Sequence, residues 1–179
     1  MSSTNFQFDK ATAFCKKVFL NKTRDYGTSW RVYRTISIAD QIYIKAKRIR
    51  TIQEKQLQKI GDDIKSEFEG ILNYAVIGLI QLDINNDEPE QLPVTEVEKR
   101  YDSKITAAKN LMLDKNHDYG EAWRDMRVSS FTDLILMKLL RIKQIEDNEG
   151  KTLISEGIDA GYHDIVNYSI FALIKLNEK

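Results

Sequence analysis

One stretch of this chain occurs twice, and the repeat limits what the chain can fold into. Lys22-Thr-Arg-Asp25-Tyr26-Gly27-Thr-Ser-Trp30-Arg31, followed by Ser37, Asp40, Lys45 and Arg48, returns as Lys115-Asn-His-Asp118-Tyr119-Gly120-Glu-Ala-Trp123-Arg124, followed by Ser130, Asp133, Lys138 and Arg141. At a constant offset of 93, residues 22–52 and 115–145 share 14 identities in 31 pairs; one inserted residue later the offset becomes 94, with 8 in 23 between 60–82 and 154–176. A duplication of this kind builds one unit twice and packs the two copies together, as a symmetric dimer packs two chains. The retained residues include Asp, Lys, Arg, Asn and Trp, so more than an apolar core has been copied.

The apolar spacing inside each unit is helical. Ala13, Phe14, Val18 and Phe19 recur at three- and four-residue steps, one stripe of an amphipathic helix over about 9–22. Gly27 can take the positive φ that ends a helix, and Trp30 opens a short connecting turn through Arg34. Ser37 and Asp40, like Ser130 and Asp133, have the spacing of a capping box at the start of a second helix, which runs to about Gln56 or Asp147. Third helices begin near Asp62 and Glu156 and end near Leu82 and Leu176, apolar nearly all round except at Asn73 and Asn167. Residues 83–95 hold both prolines and many polar side chains and read as a linker, after which Thr95 and Glu98 suggest another capping box. The expectation is an all-α fold: a tandem repeat of two three-helix units, 1–82 and 96–179, packed as an intrachain pseudo-dimeric helical bundle in one compact domain.

Lysine plus arginine equals aspartate plus glutamate, 27 against 27, which argues against a broad nucleic-acid footprint. Cys15 is the single cysteine and has no evident base beside it, so neither an internal disulfide nor a thiol nucleophile is expected. No apolar run approaches the roughly 18 residues of a membrane span, and the start, Met1 to Asp9, lacks the basic and apolar regions of a signal peptide. These features fit a soluble, cytoplasmic protein that does not engage membranes; a homo-oligomer remains compatible with them.

With no glycine-rich phosphate loop and no Cys/His cluster, the remaining chemistry lies in carboxylates and cations on helices. Lys138 and Arg141 share a helical face amid apolar residues, as do Lys45 and Arg48. They either snorkel to water or reach carboxylates or a ligand's phosphates. Glu156, Asp159 and Asn167 progress along one face of the third helix with Asp164 beside them, a set of oxygens that could hold Mg²⁺. The competing reading is that Glu156 and Asp159 only complement the helix dipole. In the first unit Asp62 matches Glu156 and Gly70 stands where the second has Asp164, so the two units are not equivalent.

The combination Lys-x-x-Asp-Tyr-Gly-x-x-Trp, Asp-x4-Lys-x-x-Arg and Asp-x-x-Asn-Tyr resembles the DUF1599 family, nucleotide modification associated domain 1, in a duplicated form covering about 9–82 and 96–176. It is also similar to the all-α nucleoside triphosphate pyrophosphohydrolases of the MazG and dimeric dUTPase type, without their doubled-glutamate motif. The resemblance implies a nucleotide or small phosphorylated ligand, and a Mg²⁺-dependent hydrolase that splits a nucleoside triphosphate into monophosphate and pyrophosphate. Glu156, Asp164, Asp159 and Asp133 would then hold the metal. Lys138, Arg141, Asn167 and Asp118 would act on phosphate, water or sugar. Tyr119, Trp123, Tyr26, Trp30, Asp25, Lys45, Arg48 and Asn73 would bind substrate. The alternative is a non-catalytic nucleotide- or partner-binding module whose polar residues form a structural network.

Overall fold

The structure, a computed structural model, describes residues 3–56, 63–84 and 88–178. Its first helix, α1 (Thr4–Tyr26), is capped by the Ser3 hydroxyl, which accepts from the Phe6 amide at 3.3 Å. It ends at Gly27 with φ 69°, and α4 (Val94–Tyr119) ends the same way at Gly120 with φ 62°. Such a backbone is open to glycine at no Cβ cost. The two helices bury the same positions of the repeat: Phe8, Cys15 and Phe19 in α1, and Tyr101, Ala108 and Met112 in α4. A 3₁₀ turn follows each, Ser29–Val32 and Ala122–Asp125, and seats Trp30 and Trp123 in the core at 7% and 6% exposure.

The second helices are α2 (Thr35–Lys55) and α5 (Val128–Asp147); the third are α3 (Ile64–Asp83) and α6 (Ile158–Asn177). α3 packs on α6 at the centre, with α2 on α3, α5 on α6 and α2 on α5, while α1 and α4 each lie against both third helices. Where α3 meets α6, a Cβ added at Gly78 would lie 3.0 Å from the Tyr162 ring. The equivalent pair in the repeat is Ala172 and Phe68, so the larger ring faces the smaller residue. Among the described residues there is no strand, and no helix is long and apolar enough to cross a membrane. The fold is therefore the expected all-α pseudo-dimeric bundle.

Its pseudo-two-fold character is visible in side-chain pairs that occur twice, as an isologous interface requires. Lys16 Nζ lies 2.9 Å from Asp102, and Lys109 Nζ lies 2.6 Å from Asp9, the same pair with the repeats exchanged. Likewise Lys143 meets Asp40 at 2.7 Å, and Arg50 approaches Asp133 at 3.8 Å. These contacts correct the expected capping boxes. The helices start earlier than the Ser-x-x-Asp spacing suggests, at Thr35 and Val128, with Arg34 and Arg127 at the N-cap and no side-chain cap bond. Asp40 and Asp133 instead face cations of the opposite repeat. In the linker, Pro93 takes the N-cap of α4, and Glu98 pairs with Lys16 at 2.9 Å. Asp62 lies outside the described residues.

Candidate functional site

Each repeat encloses a cavity between its first helix, its third helix and the 3₁₀ turn that joins the first to the second. The first measures about 680 Å³ and the second about 130 Å³. Both are lined by the same retained residues: Lys22, Tyr26, Gly27, Trp30, Asn73 and Tyr74 in one, Lys115, Tyr119, Gly120, Trp123, Asn167 and Tyr168 in the other. Gly27 and Gly120 end the first helices and let the chain turn back, so that each tryptophan plugs the floor while the tyrosine before it, Tyr26 or Tyr119, stays exposed at the rim.

Two bulkier side chains narrow the second cavity. Phe171 stands where the first repeat has Ile77, and its ring stacks on Trp123 at 4.3 Å and 8°. Asp164 stands where the first repeat has Gly70. It is 5% exposed, and its two oxygens are held by Lys115 Nζ and Lys138 Nζ, each at 2.7 Å. Burial by itself would raise this carboxyl, but the hydrogen bonds from the two lysines outweigh it and hold the group below the ordinary aspartate range.

At Gly70 there is no side chain to draw the cations inward, and an added Cβ would meet the Lys45 chain at 3.2 to 3.3 Å. Lys45 and Arg48 turn instead to Glu67, at 3.5 and 2.5 Å, one helical turn earlier on α3. The position equivalent to Glu67 in the second repeat is Gly161. Each repeat thus carries one acid and one glycine three residues apart, in exchanged order. Lys22, the counterpart of Lys115, has no ion-pair or hydrogen-bond partner among the described residues. Glu69 also lines the first cavity, and burial raises its carboxyl above the ordinary range.

The asparagines serve the core. Asn73 donates to the Cys15 carbonyl at 3.1 Å and accepts from the Tyr101 hydroxyl at 2.8 Å. Asn167 donates to the Ala108 carbonyl at 3.0 Å, but its Oδ1 has no partner among the described residues, because Phe8 stands where the other repeat has Tyr101. The Cys15 thiol is buried and pushed up to about 12 by desolvation, which leaves it protonated and a poor nucleophile.

The remaining candidates are dispersed. Lys138, Arg141 and Glu156 border a third cavity of about 750 Å³ between the end of α5, residues 148–157 and the start of α6. It is lined by no aromatic side chain among the described residues, and Arg141 and Glu156 are exposed. Asp159 is exposed in the first turn of α6, Asp118 is exposed beside His117 at 3.2 Å, and Asp25 is exposed on α1. Magnesium needs several converging oxygens. Asp164 is engaged by two ammonium groups and Asp133 faces Arg50, while Glu156, at the edge of the third cavity, and Asp159 are exposed. Among the described residues no group of three or more His, Cys, Asp or Glu side chains is arranged to hold a metal, so this set does not fit the ion.

Sequence reasoning had the cations of the second helix reach carboxylates or phosphates, and Lys138 does reach Asp164, but it gave no site role to Lys22, Lys115, Tyr33, Glu67 or Glu69. The signal for the first two was their identity at the head of the repeat. A match to the family described as nucleotide modification associated domain 1 covers residues 22–82 and 115–176, beginning in each repeat at that lysine and running through the third helix. No curated protein and no solved structure matches the chain.

Proposed function

The chain belongs to the nucleotide modification associated domain 1 family, and from that premise we propose that it binds a nucleotide, or a comparable small phosphorylated molecule, in the cavity of its first repeat. The observation that carries this reading is that Lys22, which has no partner among the described residues, shares one cavity with an aromatic wall. Its volume of about 680 Å³ falls within the range of roughly 300 to 1,000 Å³ common for small-molecule sites. Tyr26, Tyr33 and Tyr74 offer ring surfaces to a base, and Lys22 and Lys45 offer compact charges to phosphate.

Turnover is a second reading, favoured by one observation. Glu69 lines the cavity with no ion pair among the described residues, and burial raises its carboxyl toward the range useful for a general base. In a pyrophosphohydrolase it would accept a proton from the attacking water.

Thermal-shift and calorimetric titrations with a panel of nucleoside mono- and triphosphates test binding. Pyrophosphate release, assayed with and without Mg²⁺, tests turnover. A ligand-dependent rise in Tm is expected; no response to any nucleotide would remove the proposal. Turnover that Glu69→Gln leaves intact would remove the second reading alone.

A further inference from the structure

We infer that the first cavity takes a phosphate of its ligand between Lys22 and Lys45, where the second repeat carries its own carboxylate, so that Asp164 is a built-in occupant of a silenced copy of the site. The inference rests on the first cavity being the ligand site. In the second repeat Lys115 and Lys138 converge on one buried anion, each 2.7 Å from a different oxygen of Asp164. Their counterparts Lys22 and Lys45 both line the open cavity; Lys45 lies against Gly70, which carries no carboxylate, while Glu67 and Glu69 line the same cavity. Glu67 engages Lys45 at 3.5 Å, but an ammonium has three donors, and Lys22 has no partner among the described residues, so the pair can take a further oxyanion from solution.

The rest of the closed copy follows the same pattern. Phe171 lays an aromatic ring flat against Trp123 at 4.3 Å and 8°. Its counterpart Ile77 is smaller and not planar, and both Ile77 and Trp30 line the open cavity. The second repeat thus carries a ring and an anion of its own, groups comparable to the base and phosphate of a nucleotide, beside a cavity of about 130 Å³. The open copy has neither group at the equivalent positions, Gly70 and Ile77. One ligand per chain follows, held by the first repeat.

Calorimetric titration with inorganic pyrophosphate tests this on the full chain. Wild type should bind one pyrophosphate. Gly70→Asp, which puts the internal carboxylate into the open copy, should weaken binding about tenfold or more, and Lys22→Met should do the same by removing a charged donor. Asp164→Gly combined with Phe171→Ile should raise the stoichiometry toward two. Circular-dichroism melting establishes that each variant is folded; if the double variant is not, the Gly70→Asp and Lys22→Met titrations decide. No pyrophosphate binding by wild type, or binding that a folded Gly70→Asp or Lys22→Met chain retains in full, overturns the inference. If pyrophosphate behaves as expected while no nucleotide binds, the inference stands and only the nucleotide reading falls.

Discussion

Gly70 and Asp164 occupy the same position of the two repeats; Gly70 lines a cavity of about 680 Å³ and Asp164 one of about 130 Å³. A buried carboxylate is costly unless cations meet it, and Lys115 and Lys138 do so at 2.7 Å each. In the first repeat the equivalent helix face is bare at that point, and the acid one turn earlier, Glu67, holds Lys45 and Arg48 to one side.

The two equivalent lysines should therefore respond differently to the same substitution. Lys115→Met removes a partner of a buried carboxylate and should lower stability by about 1–3 kcal/mol while leaving nucleotide affinity unchanged. Lys22→Met should lower affinity about tenfold with little effect on Tm, because Lys22 has no partner among the described residues. Paired melting and titration curves check both.

Asp164 should make part of the stability acid-sensitive. Its folded pKa lies below its unfolded value, so the ionised carboxylate stabilises the fold at neutral pH, and the contribution disappears as pH falls through the folded value. Asp164→Asn should cost about 1–3 kcal/mol near pH 7. The gap between wild type and variant should narrow below about pH 4. Urea denaturation across that range measures it; a gap constant with pH would rule out the ion pairs as its source.

Phe8→Tyr should stabilise the protein by about 1 kcal/mol. Tyr101 donates to Asn73 Oδ1 at 2.8 Å, while Asn167 Oδ1, buried in the equivalent place opposite Phe8, has no such donor among the described residues. Tyr101→Phe should cost a similar amount by orphaning Asn73. Chemical denaturation of the two single variants gives both values.

Gly78→Ala should destabilise by about 1–3 kcal/mol through overpacking, since its Cβ would meet the Tyr162 ring at 3.0 Å at the contact between α3 and α6. Combining it with Tyr162→Phe should recover part of the loss, because without the hydroxyl's bond to the Thr35 carbonyl at 3.4 Å the ring can shift away from the new Cβ; the corresponding residues of the other repeat are Phe68 and Ala172. Tm measured for single and double variants tests the coupling.

Much of the fold was legible because its determinants are local. Glycine at the helix stops, the apolar third helices and the repeat offset can be read from neighbouring residues, and the structure bears them out at Gly27, Gly120, α3 and α6. The expected caps were wrong because a serine followed by an acid looks alike whether the acid closes a helix or crosses to another unit. Asp40 and Lys143 are far apart in sequence, and no local pattern announces their contact. The candidate site was harder still. What Lys22 faces depends on the side chain that Gly70 lacks, and aligned comparison sets Glu67 against Gly161 and Gly70 against Asp164, which reads as two lost acids and hides one exchanged pair.

The paired contacts Lys16–Asp102 and Lys109–Asp9 carry an evolutionary consequence. In a dimer of identical chains every substitution is installed twice, so a residue that closes one cavity closes both. Joining the halves in one polypeptide removes that constraint. The interface still binds both halves to a common architecture, but one half can carry residues such as Asp164 and Phe171 without the same residues entering the other.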